Sequence, residues 1–140
     1  MDIIVTGHGH FATGLSSTIQ LLAGELSHVH YVDFTKEMSE ENLVDQLKSI
    51  MVKDKSYVFF CDLIGGTPYK EAARLSAADA KRIGVVAGCN LASLLEVGIS
   101  LTDSDNDVDY LTEELVTISQ KGTQIFKVKP IKQEVIEDGI

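Results

Sequence analysis

Residues 4–15 read IVTGHGHFATGL. A β-branched run, Ile4-Val5-Thr6, enters a glycine-spaced turn at Gly7-His8-Gly9-His10, and Leu15, Ile19 and Leu22 then recur at helical spacing. A strand, a glycine turn and a helix with no linker between them form the opening of a βα unit. Three chemistries fit the same atoms: a phosphate cradle for a dinucleotide, a metal site on His-x-His, and a nucleophilic imidazole. The rest of the chain has to choose among them.

Outward from this turn, the apolar pattern keeps switching between short runs and helical stripes, the signature of alternating βα units around a mostly parallel sheet. Strand one covers residues 2–6 (DIIVT), and HVHYVDF at 28–34 reads as strand two. Ser39 stands as the N-cap of a helix over 40–53, with Leu43, Leu47, Ile50 and Met51 on one face. SYVFFCD at 56–62 has the β-branched and aromatic character of a strand buried on both faces.

LIGGTP ends that strand, and Pro68 suits the first turn of a helix over 68–78, where its missing N–H is not needed. RIGVVA at 82–87 gives a fourth strand, followed by Gly88 and a helix over about 90–99. A fifth helix spans 108–121, with Gly122 in the stop position. TQIFKVKPI at 123–131 alternates apolar and polar residues; it reads as an edge strand, or as one lent to a neighbouring molecule. The final QEVIEDGI is expected to be loosely held. The expectation is one α/β domain over 1–140, doubly wound, with strand order 2-1-3-4.

The chain has 140 residues, 44% apolar and 24% charged, as in an ordinary soluble globular domain. Its 21 acidic residues against 12 basic ones give a net charge of −9. Such a surface repels phosphate backbones and anionic lipid, which argues against nucleic acid or membrane as the main partner. Asp2 and the lack of a basic segment near it read as a strand start rather than a secretory signal. Cys61 and Cys89 are too few for a disulfide scaffold and suit a reducing, cytoplasmic setting.

The dinucleotide reading rests on GHGHFA, a literal G-x-G-x-x-A between strand and helix, with Asp33 at the end of strand two where a ribose-binding acid would stand. Against it, a full site uses two mononucleotide halves, and this chain has strands for little more than one. The metal reading needs further ligands beside His8 and His10; Asp62 or Cys89 could contribute, but no paired-cysteine or H-x-x-x-H spacing supports it. The expected ligand and cofactor set is therefore empty of metal.

The nucleophile reading rests on topology. With order 2-1-3-4 the switch-point crevice opens between the carboxyl ends of strands one and three, which delivers His8 and Asp62 to one place. A carboxylate there holds one imidazole nitrogen and leaves the other's lone pair free. Gly65 and Gly66 let backbone approach an anion, Thr67 adds a hydroxyl, and helices begin after Gly66 and Gly9 with N–H groups and positive dipole ends. No arginine sits in either loop, as suits a phosphoryl group held briefly and passed on.

These residues also carry a family resemblance. HGHFATGL at 8–15 resembles the H-G-x-F-A-x-G-L segment of the mannose-family IIA components of the bacterial sugar phosphotransferase system (PTS). CDLIGGTPYKEAA at 61–73 is similar to its D-x-x-G-G-[ST]-P-x-x-x-A block, and VVAGCNLASLLE at 85–96 to its A-G-x-N-[LI]-P-x-L-x-E block. The similarity runs from about residue 1 to 127. It implies a cytoplasmic phosphotransferase component that receives a phosphoryl group from the phosphocarrier HPr and gives it to a IIB component. The IIB partner in turn phosphorylates sugar arriving through a membrane IIC/IID permease.

By motif position His8 is the acceptor, expected to react through Nε2, Asp62 orients its ring, and Thr67 stands beside the phosphate with Gly9, Gly65 and Gly66. The family also forms homodimers by exchanging a C-terminal strand, which would give TQIFKVKPI its partner. Ala92 departs from the usual proline, and His10 falls at a variable position. A dihydroxyacetone kinase phosphocarrier subunit shares the expected fold but differs in the second block. A dinucleotide-binding regulatory module is the alternative from another class.

Other residues carry blander readings. His10 is a solvent-facing rim residue close enough to affect HPr docking, and His28 and His30 are structural. Asn90 is a helix cap. Cys61 is a small hydrophobe and Cys89 a half-buried loop residue. DSDNDVDYLTEE at 103–114 imitates a calcium loop but has Val108 where the sharp turn needs glycine, so it reads as an acidic cap for the helix that follows.

Overall fold

A computed structural model describes residues 1–129. Strands β1 (Asp2–His8), β2 (Val29–Phe34), β3 (Tyr57–Cys61) and β4 (Ile83–Ala87) alternate with helices α1 (Phe11–Ala23), α2 (Glu40–Ile50), α3 (Thr67–Ala78) and α4 (Leu91–Ser100), and α5 (Val108–Gly122) follows. The sheet is parallel throughout, in the order β2-β1-β3-β4. This is the doubly wound arrangement expected from the alternating pattern.

Burial follows from the pleat. In β1, Ile3 and Val5 point to one face and Ile4 to the other, and β3 splits Val58 and Phe60 from Tyr57, Phe59 and Cys61 in the same way. One layer of core joins Ile3, Val5 and Phe60 to Ile19, Leu94, Leu111 and Leu115 of α1, α4 and α5. The opposite layer joins Ile4 and Phe59 to Leu43 and Leu47 of α2 and Ala72 of α3. Both central strands are thus covered on two sides, which is why their sequences contain unbroken apolar runs.

The caps match the sequence where short polar side chains supply them. Ser39 and Asn42 form a reciprocal capping box at α2, and Asn90 accepts from Ser93 N–H at α4, which therefore starts normally with Ala92 in place of proline. In the acidic loop Asp107 caps α5 through Tyr110 N–H, while Asp105 accepts from the Thr102 N–H and hydroxyl.

Several boundaries differ from expectation: β1 runs on to His8 rather than ending at residue 6, and β2, β3 and β4 each start one residue later than expected. Helix α2 stops at Ile50, not 53, because the Tyr57 hydroxyl accepts from Val52 N–H at 2.7 Å and draws the chain into a turn with Asp54 at φ 70°. Thr67, not Pro68, is the first residue of α3. Gly122 is still helical, and Thr123 is the C-cap.

The expected strand at 123–131 is not formed by its described part, residues 123–129. Residues 123–129 are irregular and exposed, with Ile125, Phe126 and Val128 more than four-fifths accessible. A strand exists only as part of a ladder, and nothing among the described residues pairs with this segment. Residues 130–131 and the QEVIEDGI tail lie outside the described residues.

Candidate functional site

Strands β1 and β3 are neighbours, with Thr6 opposite Cys61, so Gly7-His8 at the end of β1 and Asp62 just past β3 come side by side. Asp62 Oδ2 accepts the backbone N–H of His8 at 2.9 Å and lies 2.7 Å from His8 Nδ1. Leu63 N–H binds the other carboxylate oxygen at 2.9 Å. A carboxylate accepts only, so Nδ1 carries the proton and Nε2 keeps its lone pair. The aspartate is clamped at both oxygens before it touches the ring, which fixes the ring as well.

Burial alone would raise the Asp62 carboxyl. The backbone N–H and imidazole of His8 and the N–H of Leu63 outweigh that, holding it below the usual carboxylate range and therefore anionic. The His8 ring is 46% exposed against 11% for Asp62, so the reactive edge faces solvent while its anchor does not. Phe34 of β2 meets the ring edge-on at 6.0 Å between centroids.

The glycines divide into two kinds. Gly9 and Gly65 have φ of 59° and 85° with open space around them, so the backbone conformation demands them. Gly7 and Gly66 are demanded by proximity. A Cβ at Gly66 would stand 2.5 Å from His8 Cε1 and 3.2 Å from Nε2, and one at Gly7 would meet Phe11 and Asp62 below 3.0 Å. Gly66 is also the N-cap of α3 and has no side chain to bind the first-turn N–H groups, so these remain available beside Nε2. Thr67 begins that helix, half-buried, and its hydroxyl makes no hydrogen bond among the described residues.

The structure therefore brings His8, Asp62, Gly65, Gly66 and Thr67 together, with Gly9 on the turn behind them. Asp33 has a different place from the one GHGHFA suggested. Its carboxylate accepts from Thr13 N–H (3.0 Å), Thr13 Oγ1 (2.6 Å) and His10 (Nδ1, 3.1 Å), so it caps α1 and is not free for a ribose. These bonds outweigh its burial and hold its carboxyl low. The sequence does not reveal this, because the cap comes from β2 and not from the residue preceding the helix.

His10 is 82% exposed, and its Nδ1 is turned to β2 while that of His8 is turned to the end of β3. Among the described residues no three His, Cys, Asp or Glu side chains converge as a metal site. His28 and His30 lie at the far end of the sheet, both bonded to the buried Asp2 carboxylate. Cys61 is buried, with its thiol pushed up to about 12 by burial and by Asp62, and Cys89 is half-buried. No helix among the described residues is long and apolar enough to cross a membrane.

Comparison with known proteins gives one answer. The family model described as PTS system fructose IIA component matches residues 2–115. The mannose-specific EIIAB component of Escherichia coli K12 is 29% identical over 134 residues, covering 94% of this chain but 41% of that protein, so the chain spans about two-fifths of the length of that relative. The sorbose-specific EIIA component of Lacticaseibacillus casei is 32% identical, with 86% of this chain and 87% of that one covered. A crystal structure of an EIIA component from Streptococcus agalactiae superposes with a TM-score of 0.81 at 32% identity, covering 89% and 96% of the two chains. The chain belongs to the mannose-type EIIA family and is a phosphotransferase component of the PTS.

Proposed function

We propose that this chain relays a phosphoryl group on His8, receiving it from HPr in the cytoplasm and passing it to a IIB component that phosphorylates sugar entering through a IIC/IID permease. The observation that carries the reading is the 2.7 Å contact of Asp62 with Nδ1, which leaves Nε2 as the nucleophile against Gly66 and the uncapped start of α3. Attack by the Nε2 lone pair forms a new N–P bond while the donor's N–P bond breaks. The Nδ1 proton stays in place, and the anionic Asp62 offsets the positive charge on the phosphorylated ring. First-turn N–H groups of α3, Gly65 and the Thr67 hydroxyl are suited to the phosphoryl oxygens. Without arginine or lysine in the two loops, the group is not held tightly, and release to a second partner stays easy.

An acceptor that is half exposed accords with a protein, rather than a free metabolite, bringing the phosphoryl group. Incubation with phosphoenolpyruvate, enzyme I and HPr should add an acid-labile phosphate that maps to His8 at early times and then moves to a IIB protein. Phosphate mapping elsewhere in the wild-type chain, or transfer only to a dihydroxyacetone kinase subunit, would overturn this reading.

The same reading extends to a homodimer in which residues 123–131 add a strand to the partner's β4. Strand β4 is an edge of the sheet, and Val85, Val86 and Val116, with Thr112, Glu113 and Thr117, line an open, partly apolar groove beside it. Ile125, Phe126 and Val128 have no cover among the described residues. Truncation after Gly122 should turn a dimer into a monomer in light scattering; a dimer that persists would refute the exchange.

A further inference from the structure

We propose that His10, paired with Asp33, is a second and slower phosphoryl acceptor on the same rim, charged by the same class of phosphohistidine donor. The inference rests on the relay reading of His8. It starts from a repeated geometry: His8 Nδ1 on Asp62 at 2.7 Å, and His10 Nδ1 on Asp33 at 3.1 Å. The two carboxylates stand at the carboxyl ends of β3 and β2, the strands on either side of β1. Each is fixed by backbone N–H groups, Leu63 and His8 in one case and Thr13 in the other. In both pairs the imidazole is locked through Nδ1 and turns Nε2 to the outside.

A structural role does not account for the second pair. Thr13 already binds both oxygens of Asp33, so the cap on α1 is complete without His10. A ring that is 82% exposed also contributes little by burial. What the position does offer is access and charge. His10 is itself the N-cap of α1 and its side chain makes no capping bond, so a dianion on its Nε2 would sit at the positive end of a thirteen-residue helix. Two peptide units separate it from His8, so the Cα atoms are at most ~7.6 Å apart and both side chains leave the same short stretch of the rim.

The step balances without a further reagent. The Nε2 lone pair of His10 forms an N–P bond as the donor's N–P bond breaks, and the donor imidazole keeps that electron pair. The Nδ1 proton remains on His10, facing the Asp33 carboxylate. The rate should be lower than at His8, because Gly66 and the start of α3 press on His8 alone. Loss of one preorganised donor of this kind costs about 10²–10³-fold in rate.

The test compares wild type, His8→Ala, His8→Ala/His10→Ala and His8→Ala/Asp33→Asn with phosphorylated HPr over a long incubation, read by intact mass and by mapping under conditions that preserve phosphohistidine. The His8→Ala protein should gain one acid-labile phosphate on His10 about 10²–10³-fold more slowly than wild type gains its own. That phosphate should vanish with His10→Ala and slow further with Asp33→Asn. Should the double alanine variant not fold, His8→Ala/His10→Gln serves in its place. Wild type phosphorylated on His8 with none on His8→Ala overturns this inference alone; wild type with no phosphate overturns the relay reading and this inference together.

Discussion

Gly66→Ala separates the chemistry from the fold. The Gly66 backbone, at φ −76° and ψ 169°, is open to any residue, so alanine brings no backbone strain. Its methyl would, however, lie 2.5 Å from His8 Cε1, 3.2 Å from Nε2 and 3.2 Å from Leu63 Cδ1. Ordinary carbon contacts are about 3.5–4.0 Å, so the ring has to withdraw by about 1 Å, against the bond that ties it to Asp62. A misplacement of that size costs about 10²-fold in rate, and the methyl also narrows the approach to Nε2. Alanine is a poorer N-cap than glycine, a penalty of about 1 kcal/mol or less, so the melting temperature should fall by only a few degrees. Quenched-flow measurement of phosphate uptake from phosphorylated HPr, beside a circular dichroism melt, reads both quantities. A variant within threefold of the wild-type rate would refute the idea that Gly66 is glycine for the sake of His8.

Four other perturbations have defined outcomes. Asp62→Asn should keep the fold but slow uptake by about 10²–10⁴-fold, because an amide N–H facing Nδ1 favours the tautomer that protonates Nε2; pre-steady-state transfer rates check it. Gly7→Ala forces a Cβ to within 2.6 Å of Phe11 and 2.9 Å of Asp62 and should destabilise the chain by about 1–3 kcal/mol in urea titration. Thr6 is buried in β1 and its hydroxyl has no partner among the described residues, so Thr6→Val should stabilise by about 1 kcal/mol in the same assay. Burial pushes the Asp2 carboxyl up, but bonds from His30, His28 and Lys55 outweigh it and hold it low. Its contribution to stability is therefore complete above about pH 4 and is lost as the pH falls further, and Asp2→Asn should flatten that acid limb of the urea midpoint.

The parts of this protein that could be read from its sequence are those set by local pattern. The unbroken run Tyr57–Cys61 marks a strand covered on both faces, and its ends deliver Asp62 to His8 across 54 positions once the strand order is known. What escaped depends on side chains that reach between elements. Asp33 stands where a ribose ligand would because a dinucleotide site and this fold share one need, a glycine turn into a helix that welcomes phosphate, and the strand count already argues against that role. Its true contacts, Thr13 and His10, follow only from β2 lying beside β1. The early end of α2 likewise depends on the Tyr57 hydroxyl, which no helical pattern encodes. Residues 123–129 alternate as a strand would, yet a ladder needs a second edge that alternation alone does not supply.

The central claim is that the phosphoryl group rides on Nε2 of His8 while Asp62 holds Nδ1–H. Nitrogen and phosphorus NMR on the ¹⁵N-histidine-labelled protein, recorded after brief charging by phosphorylated HPr, tests it directly. Phosphorus coupling to Nε2 of His8, with Nδ1 still protonated, is the predicted result. Coupling to Nδ1, or to another histidine at early times, would contradict it.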